Sequence, residues 1–350
     1  MSKSDRIALG HVPADSYPAR PFPLSPSHPP PKGRPMTQYI LRRLIQSLFI
    51  IWGCATLVFF MLRMIPGDPV IQMLGPEYTP EAAAALRAKL GLDEPLLVQY
   101  LRWMGNILHG DLGGSIASGE TVADAIKSGL PKTLSLATVS FVIATAIAVP
   151  AGVIAALRRN GPFDYIASIV AFIGVSMPSF WFGIILILVF AVQLRWLPAI
   201  GYSEIAEDGV WAWFQRLILP SLAIGAGYAA ILMRFVRAGL LDVLGSDYIR
   251  TARAKGMREG SVVVRHALRN ALIPVVTVVG IQLALLLSGT VVIETVFSIR
   301  GLGRILVGAI FDRDYPIVQG VILLIAVIFV LANLVVDIVY TFLDPRIHYS

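Results

Sequence analysis

The chain has 350 residues, 56% of them hydrophobic and only 15% charged, with a net charge of +7 and a single cysteine. A soluble domain carries about 25% charged residues, and the deficit here coincides with long apolar runs. The composition therefore excludes a soluble enzyme or nucleic-acid-binding domain and points to an integral membrane protein. Cys54 lies inside an apolar run, so an intrachain disulfide is excluded, and no Cys/His cluster has zinc spacing.

Residues 1–35 are a different material. Pro13, Pro18, Pro21, Pro23, Pro26, Pro29, Pro30, Pro31 and Pro35 break any helix, and the apolar content is too small for a core. The segment reads as a disordered proline-rich tail, without the apolar centre of a signal peptide. Residues 36–350 read as one transmembrane domain.

Six spanning segments of about 20 residues or more follow, the length a hydrocarbon core of about 30 Å requires. They are Leu44–Ile65, Leu134–Leu157, Tyr165–Val192, Leu217–Val236, Leu272–Val296 and Ile317–Leu343. In lipid such runs are helices, so the fold class is an all-α polytopic membrane protein. Pro150 and Pro178 are expected to kink the second and third spans.

The loop of about 66–131 between the first two spans has structure of its own. Thr79-Pro80-Glu81 reads as an N-cap, a first-turn proline and a first-turn acid. Gly91 ends that helix, and Asp93-Glu94-Pro95 begins another. Its Leu97, Tyr100, Leu101, Met104 and Leu108 share a face. That face suits the membrane surface or the bundle, and the bundle is the favoured reading.

Loop charge orients the chain. Arg42 and Arg43 precede the first span, Arg158 and Arg159 fall between the second and third, and a basic stretch joins the fourth and fifth. These alternate with acidic or mixed loops, which places both termini and the basic stretch in the cytoplasm. Trp196, Trp211 and Trp213 suit an aromatic belt at the outer interface.

The basic stretch, about 240–271, is the most informative part of the chain. Arg250, Arg253, Lys255, Arg258, Arg265 and Arg269 would each cost roughly 2.5–3.5 kcal/mol in a bilayer centre, so the stretch lies in water. Asp247 to Lys255 carries good helix formers, Gly256 stops that helix, and a second helical stretch runs from Val262 to Ala271, before Pro274. A solvated loop needs no helix–glycine–helix order with small residues at Ala252 and Ala254. The pattern suits a surface that docks a partner.

Elsewhere the chemistry is sparse. Gly225-Ala226-Gly227-Tyr228-Ala229-Ala230 fits a dinucleotide pattern but sits in a span without a preceding strand, so it reads as helix packing. No Walker A sequence and no nucleophile–base pair is present. Ser176, Gln282, Ser288 and Glu294 are polar positions in or near spans and are candidates for a transport path. Glu294 and Asp337 lie near span ends, where a structural role suits them equally.

Asp247 to Pro274, DYIRTARAKGMREGSVVVRHALRNALIP, resembles the cytoplasmic coupling loop of ABC-importer permeases, in the version found in peptide and nickel importers. Ile65-Pro-Gly-Asp-Pro69, Gly91-Leu-Asp-Glu-Pro95, Gly110-Asp-Leu-Gly113, Trp196-Leu-Pro198, Val292-Ile-Glu-Thr-Val-Phe297, Gly301-Leu-Gly303, Arg313-Asp-Tyr-Pro316 and Leu343-Asp-Pro-Arg346 resemble that family too. The resemblance runs from about Tyr39 to the C-terminus and is strongest to the first permease subunit of dipeptide importers, the dipeptide permease B type. The chain departs from the pattern in three places. Arg250-Thr251-Ala252 stands where the generic loop has Glu-Ala-Ala. Arg300 replaces a usual proline, which bears on the shape of the last outer loop. The proline-rich tail is extra, and Met36 stands where family members usually begin, so Met36 is the expected start.

The resemblance implies a type I ABC-importer permease fold in a bacterial inner membrane. It also implies a second permease subunit, two cytoplasmic ATPases and an extracytoplasmic binding protein. ATP and magnesium would be held by the ATPases, with no cofactor or metal on this chain, which would be a transport subunit and not an enzyme. The coupling residues it implies are Asp247, Tyr248, Arg250, Thr251, Ala252, Arg253, Ala254, Lys255, Gly256, His266 and Asn270. The substrate class is peptide, with nickel chelates, glutathione and oligosaccharides as alternatives. A secondary transporter would need ionisable groups at mid-membrane, and the middles of these spans are nearly free of them; a membrane enzyme would need a catalytic constellation, which is absent.

Overall fold

The apolar runs fold as helices, the form in which a backbone inside lipid satisfies its own hydrogen bonds. The computed structural model describes residues 36–64, 69–75 and 78–343. The first seven helices are α1 (Met36–Met64), α2 (Pro69–Leu74), α3 (Pro80–Leu90), α4 (Leu96–Leu108), α5 (Val122–Leu157), α6 (Pro162–Ser176) and α7 (Ser179–Leu186). Then come α8 (Ile205–Leu244), α9 (Asp247–Ala254), α10 (Glu259–Ser261), α11 (Arg269–Val296), α12 (Leu302–Phe311) and α13 (Tyr315–Leu343). π-helical segments extend α7 over Ile187–Gln193 and α10 over Val262–Leu268. Residues 1–35, 65–68, 76–77 and 344–350 lie outside the described residues.

Two arginines on α8 measure the bundle. Arg216 and Arg237 are about 31 Å apart along the helix at 1.5 Å per residue, the depth of a hydrocarbon core. Arg216 donates to Ser203 Oγ at 2.8 Å and to the Ile200 carbonyl at 2.6 Å, just beyond the end of the α7 segment. Arg237 grips Asp164, at the start of α6, with bonds of 2.6 and 2.7 Å. The pair α6 and α7 therefore begins at one pole and ends at the other. It is one broken crossing, bent by 108°, and five unbroken crossings accompany it. The break falls where expected: Met177, before Pro178, takes extended backbone with φ −86° and ψ 130°. Its size was not expected, since Tyr165–Val192 reads as a single kinked helix. Pro150 has no comparable effect, and α5 runs on through it and through Pro131.

The poles differ in what they gather. At the α4 pole, Arg63 at the end of α1 lies 5.7 Å from the Tyr315 ring centroid at the start of α13. There too the Gly201 N–H donates to the Phe297 carbonyl at 2.8 Å. At the α9 pole lie the start of α6, the end of α8 and the start of α11.

The centre of the bundle is the α5–α8 contact, made close by small residues. Ala144, Ala148, Ala229 and Ala230 are buried in one cluster with Met233 and Val236. A Cβ on Gly152 would come within 2.8 Å of the Met233 carbonyl oxygen, and one on Gly225 within 3.2 Å of the Ser140 carbonyl oxygen. The glycine-rich stretch of α8 is thus a helix-packing surface.

In the segment between α1 and α5, α3 has its expected caps: Thr79 Oγ1 accepts from the Ala82 N–H at 3.1 Å, and the helix ends at Gly91. The favoured reading of α4, packing on the bundle, holds for Tyr100 of the predicted face and fails for its leucines. Leu97, Leu101 and Leu108 are 64%, 61% and 79% exposed, so that side does not pack on the bundle. The helix docks on α1 through its aromatic side instead. Tyr100 and Trp103 pack on Phe59, and the Tyr100 hydroxyl is 2.8 Å from Thr56 Oγ1. Gln99 is buried between them, its amide donating to the Leu92 and Glu94 carbonyls. The ring surface of α1 outcompetes the leucine stripe.

Candidate functional site

At the α9 pole a short helical hairpin projects from the bundle. It is held by one buried anchor: Ile249 is fully enclosed in a cluster with Ala156, Leu240, Val262, Ala267 and Ala271, and Ala252 and Met257 pack at its edge. Ile249 and Ala252, one turn apart on α9, face inward, and the remaining surface is left free. Asp247, Tyr248, Arg250, Thr251, Arg253, Ala254, Lys255 and Gly256 are all exposed.

The turn is built by Gly256. Its φ of +75° is a left-handed conformation that other residues adopt at a cost. A Cβ there would meet nothing within 4 Å, so the constraint is on the backbone and not on space. Its N–H donates to the Arg253 carbonyl at 2.9 Å, closing the helix. Arg253 then ties the two arms: its Nε and Nη2 donate to Glu259 at 3.1 and 2.6 Å. Hydrogen bonding to Glu259 holds the Arg253 guanidinium above its already high ordinary pKa. A second tie joins α9 to α11, where Asn270 Nδ2 donates to the Tyr248 hydroxyl at 2.8 Å. Tyr248 in turn donates to the His266 carbonyl at a long 3.5 Å, so His266 meets α9 through its backbone. Arg250 pairs with Asp247 at 3.3 Å, and Thr251 Oγ1 donates to the Asp247 carbonyl at 3.0 Å. The structure thus brings the predicted hairpin residues into one surface.

At the same pole α6 and α8 are joined by a buried pair that the sequence does not single out. Asp164 is buried at 3% exposure, accepts two bonds from Arg237 and a third from the Asn160 N–H at 3.0 Å. An acid in the first turn of α6 was visible as a helix-start signal. Its partner, 73 residues away, was not.

The predicted path residues are not gathered in one place. A cavity of about 450 Å³ opens below the bend, between α5, α6, α7 and α8, and is lined by small and apolar side chains such as Ala148, Ala171, Ala226 and Met233. None of Ser176, Gln282 or Glu294 lines it. Ser176 is exposed at the end of α6, beside the bend, and donates to the Phe172 carbonyl at 2.9 Å. Gln282 is buried on α11 with its Nε2 unpartnered. Ser288 lies on the same helix, and its side chain is outside the described set.

Glu294 is fully enclosed at the α4 pole, where it organises the loop between α11 and α12. Thr133 Oγ1 donates to it at 2.7 Å and the Arg304 N–H at 3.0 Å, while the Leu302 N–H donates to Thr133 at 2.8 Å. A Cβ on Gly301 would sit 2.5 Å from the Glu294 carboxyl carbon, so the loop closes only over a glycine. Arg300 leaves this packing intact: it points outward to Glu120 at 3.3 Å, while Ile299 and Leu302 on either side are buried. Among the described residues, no group of His, Cys, Asp and Glu could hold a metal.

Residues 148–349 match the family described as binding-protein-dependent transport system inner membrane component, and residues 36–137 match its N-terminal companion. A probable peptide ABC transporter permease (y4tP) of Sinorhizobium fredii is 42% identical over 90% of this chain and 100% of its own length. The oligopeptide transport system permease AppB of Bacillus subtilis is 41% identical over 90% of this chain and all of its own. The glutathione transport system permease GsiC of Escherichia coli is 45% identical over the same shares.

Proposed function

The chain belongs to the family of inner membrane components of binding-protein-dependent transport systems, and on that premise we propose that it is a permease subunit of an ATP-driven peptide importer, forming half of the translocation path. The observation that carries this reading is the α9 hairpin: an exposed, charged surface with a rigid turn, its arms joined by Arg253 and Glu259, tied into α8 and α11 by the buried Ile249 and the Asn270–Tyr248 hydrogen bond. Peptide as the substrate class is supported by the names of relatives aligned along their whole length. Glutathione, itself a small peptide, is the substrate named for another.

The basic α9 pole faces the cytoplasm, as the positive-inside rule requires. Both ends of the spanning domain lie on that side, and the α4 pole faces outward to a binding protein. Two cytoplasmic ATPases bind the chain and a second permease, and hold ATP and magnesium. Asp247, Tyr248, Arg250, Thr251, Ala252, Arg253, Ala254, Lys255, Gly256, His266 and Asn270 form the contact with one ATPase. Closure of the ATPase pair on ATP moves the hairpin as a rigid body. Because Ile249 packs among Ala156 of α5, Leu240 of α8 and Ala271 of α11, the hairpin is fixed to three crossing helices, and the movement tilts those helices and opens the path outward. Released peptide enters, and hydrolysis returns the path to its inward-facing form.

The test is uptake of labelled dipeptide into proteoliposomes that hold this chain with its partner subunits, with the binding protein outside. ATP-dependent uptake that vanishes without this chain is the expected result. ATP hydrolysis stimulated by the binding protein with no dipeptide uptake would contradict the peptide assignment.

A further inference from the structure

Leu97, Leu101 and Leu108 stand exposed on α4, and with Met104 they cover about 60° of its circumference at about 100° per residue. Gln99, Arg102 and Asn106 lie on the opposite side. Tyr100 and Trp103, which pack on Phe59 of α1, lie between the two. Two hydrogen bonds fix how α4 is turned about its own axis. Gln99 Oε1 accepts from Arg63 Nε at 3.1 Å, at the end of α1, whereas the Tyr100 hydroxyl is 2.8 Å from Thr56 Oγ1. Thr56 lies about 10 Å deeper along α1 than Arg63, at about 1.5 Å per residue. The Gln99 side of α4 therefore faces away from the membrane centre, and the Tyr100 side faces toward it. A further turn of about 60° past Tyr100, away from α1, reaches the leucines.

We propose that α4 is an interfacial helix, with its leucine stripe lying among the lipid acyl chains at the α4 pole. The depth fits. The sequence of α1 has no charged residue from Leu44 to Leu62, so Thr56 lies inside its apolar run, and interfacial helices sink about 5–10 Å into the boundary between headgroups and acyl chains. The surroundings fit as well. Trp52, Phe49 and Ile45 follow Thr56 inward on the same face of α1, and all three are exposed. The space that the leucines point into is therefore bordered by apolar surface that this chain leaves open to lipid. On the opposite side of α4, Arg102 is exposed and pairs with Glu94 at 2.7 Å, as suits a face turned to headgroups and water. A protein partner would use about one hydrogen bond per 100–200 Å² of contact, and the side chains of the stripe offer none. Seated in this way, α4 ties the end of α1 to the height of the membrane surface.

The test is spin labelling of the assembled complex in proteoliposomes, on a Cys54→Ala background, with single labels at Leu97→Cys, Leu101→Cys or Asn106→Cys. Molecular oxygen concentrates among acyl chains, and a nickel chelate stays in water. The labels at Leu97→Cys and Leu101→Cys are expected to be relaxed more by oxygen than by the chelate. The label at Asn106→Cys is expected to show the reverse, so the ratio inverts across one helix. Adding the binding protein is expected to leave the ratios unchanged. Should one leucine variant fail to assemble, the other carries the comparison. Relaxation dominated by the chelate on the leucine side would place the stripe in water. Shielding from both agents, or loss of oxygen access when the binding protein is added, would place it against a protein. Each of these results would overturn the proposal.

Discussion

The two poles spend their polar groups differently. At the α4 pole most of the polar groups described are consumed inside the chain. Glu294 binds Thr133 and the Arg304 backbone, and Asp314 accepts from Ser115 Oγ and from the Ile116, Ala117 and Ile317 N–H groups. At the α9 pole the reverse holds. One apolar side chain, Ile249, carries the hairpin, and its charged residues stand exposed. A pole that closes on itself fixes a shape, whereas a pole that leaves its charges outward offers a surface. The difference assigns structural work to the first and partner contact to the second.

The comparison predicts opposite signatures for substitutions at the two ends. The largest loss of stability lies outside the hairpin, at the buried pair that joins α6 to α8, where Asp164→Ala strands the Arg237 guanidinium. Removing one partner of a buried pair costs about 3 kcal/mol, read as a lower unfolding midpoint in detergent. Glu294→Gln comes next: the amide turns a donor toward the Thr133 hydroxyl or the Arg304 N–H, at a cost of about 1–2 kcal/mol. Tyr248→Phe removes the acceptor for Asn270 on an exposed helix and costs under about 1 kcal/mol. Arg250→Ala is expected to leave unfolding unchanged and to lower ATP-driven uptake. If Arg250→Ala destabilised the chain as much as Glu294→Gln, the division between the poles would fail.

Much of this organisation was legible in the sequence, for identifiable reasons. The hairpin stood out because six cations interrupt apolar runs and because a glycine separates its two helical stretches. The crossing helices stood out by length and hydropathy, and Pro178 marked the break. What remained hidden depended on contacts distant in sequence. Pro178 fixes where a helix breaks, but the 108° bend is set by what α6 and α7 pack against. The role of Glu294 required Thr133, 161 residues away, to be placed beside it. On the predicted face of α4 Tyr100 docks while the leucines stay exposed, because periodicity reports apolar character and not the shape of the surface it meets. Tyr100 and Trp103 found matching rings on α1.

The most direct test of the account is ATP-driven dipeptide uptake by the assembled complex carrying Gly256→Asp. The backbone there pays about 1 kcal/mol for a left-handed side-chain residue, and no neighbouring atom obstructs it, so insertion and assembly are expected to be normal. The account predicts uptake reduced at least about tenfold, equivalent to about 1.4 kcal/mol, because a new anion and a strained turn occupy the contact surface. Uptake at the wild-type rate by a fully assembled Gly256→Asp complex would contradict the assignment of the hairpin as the coupling element.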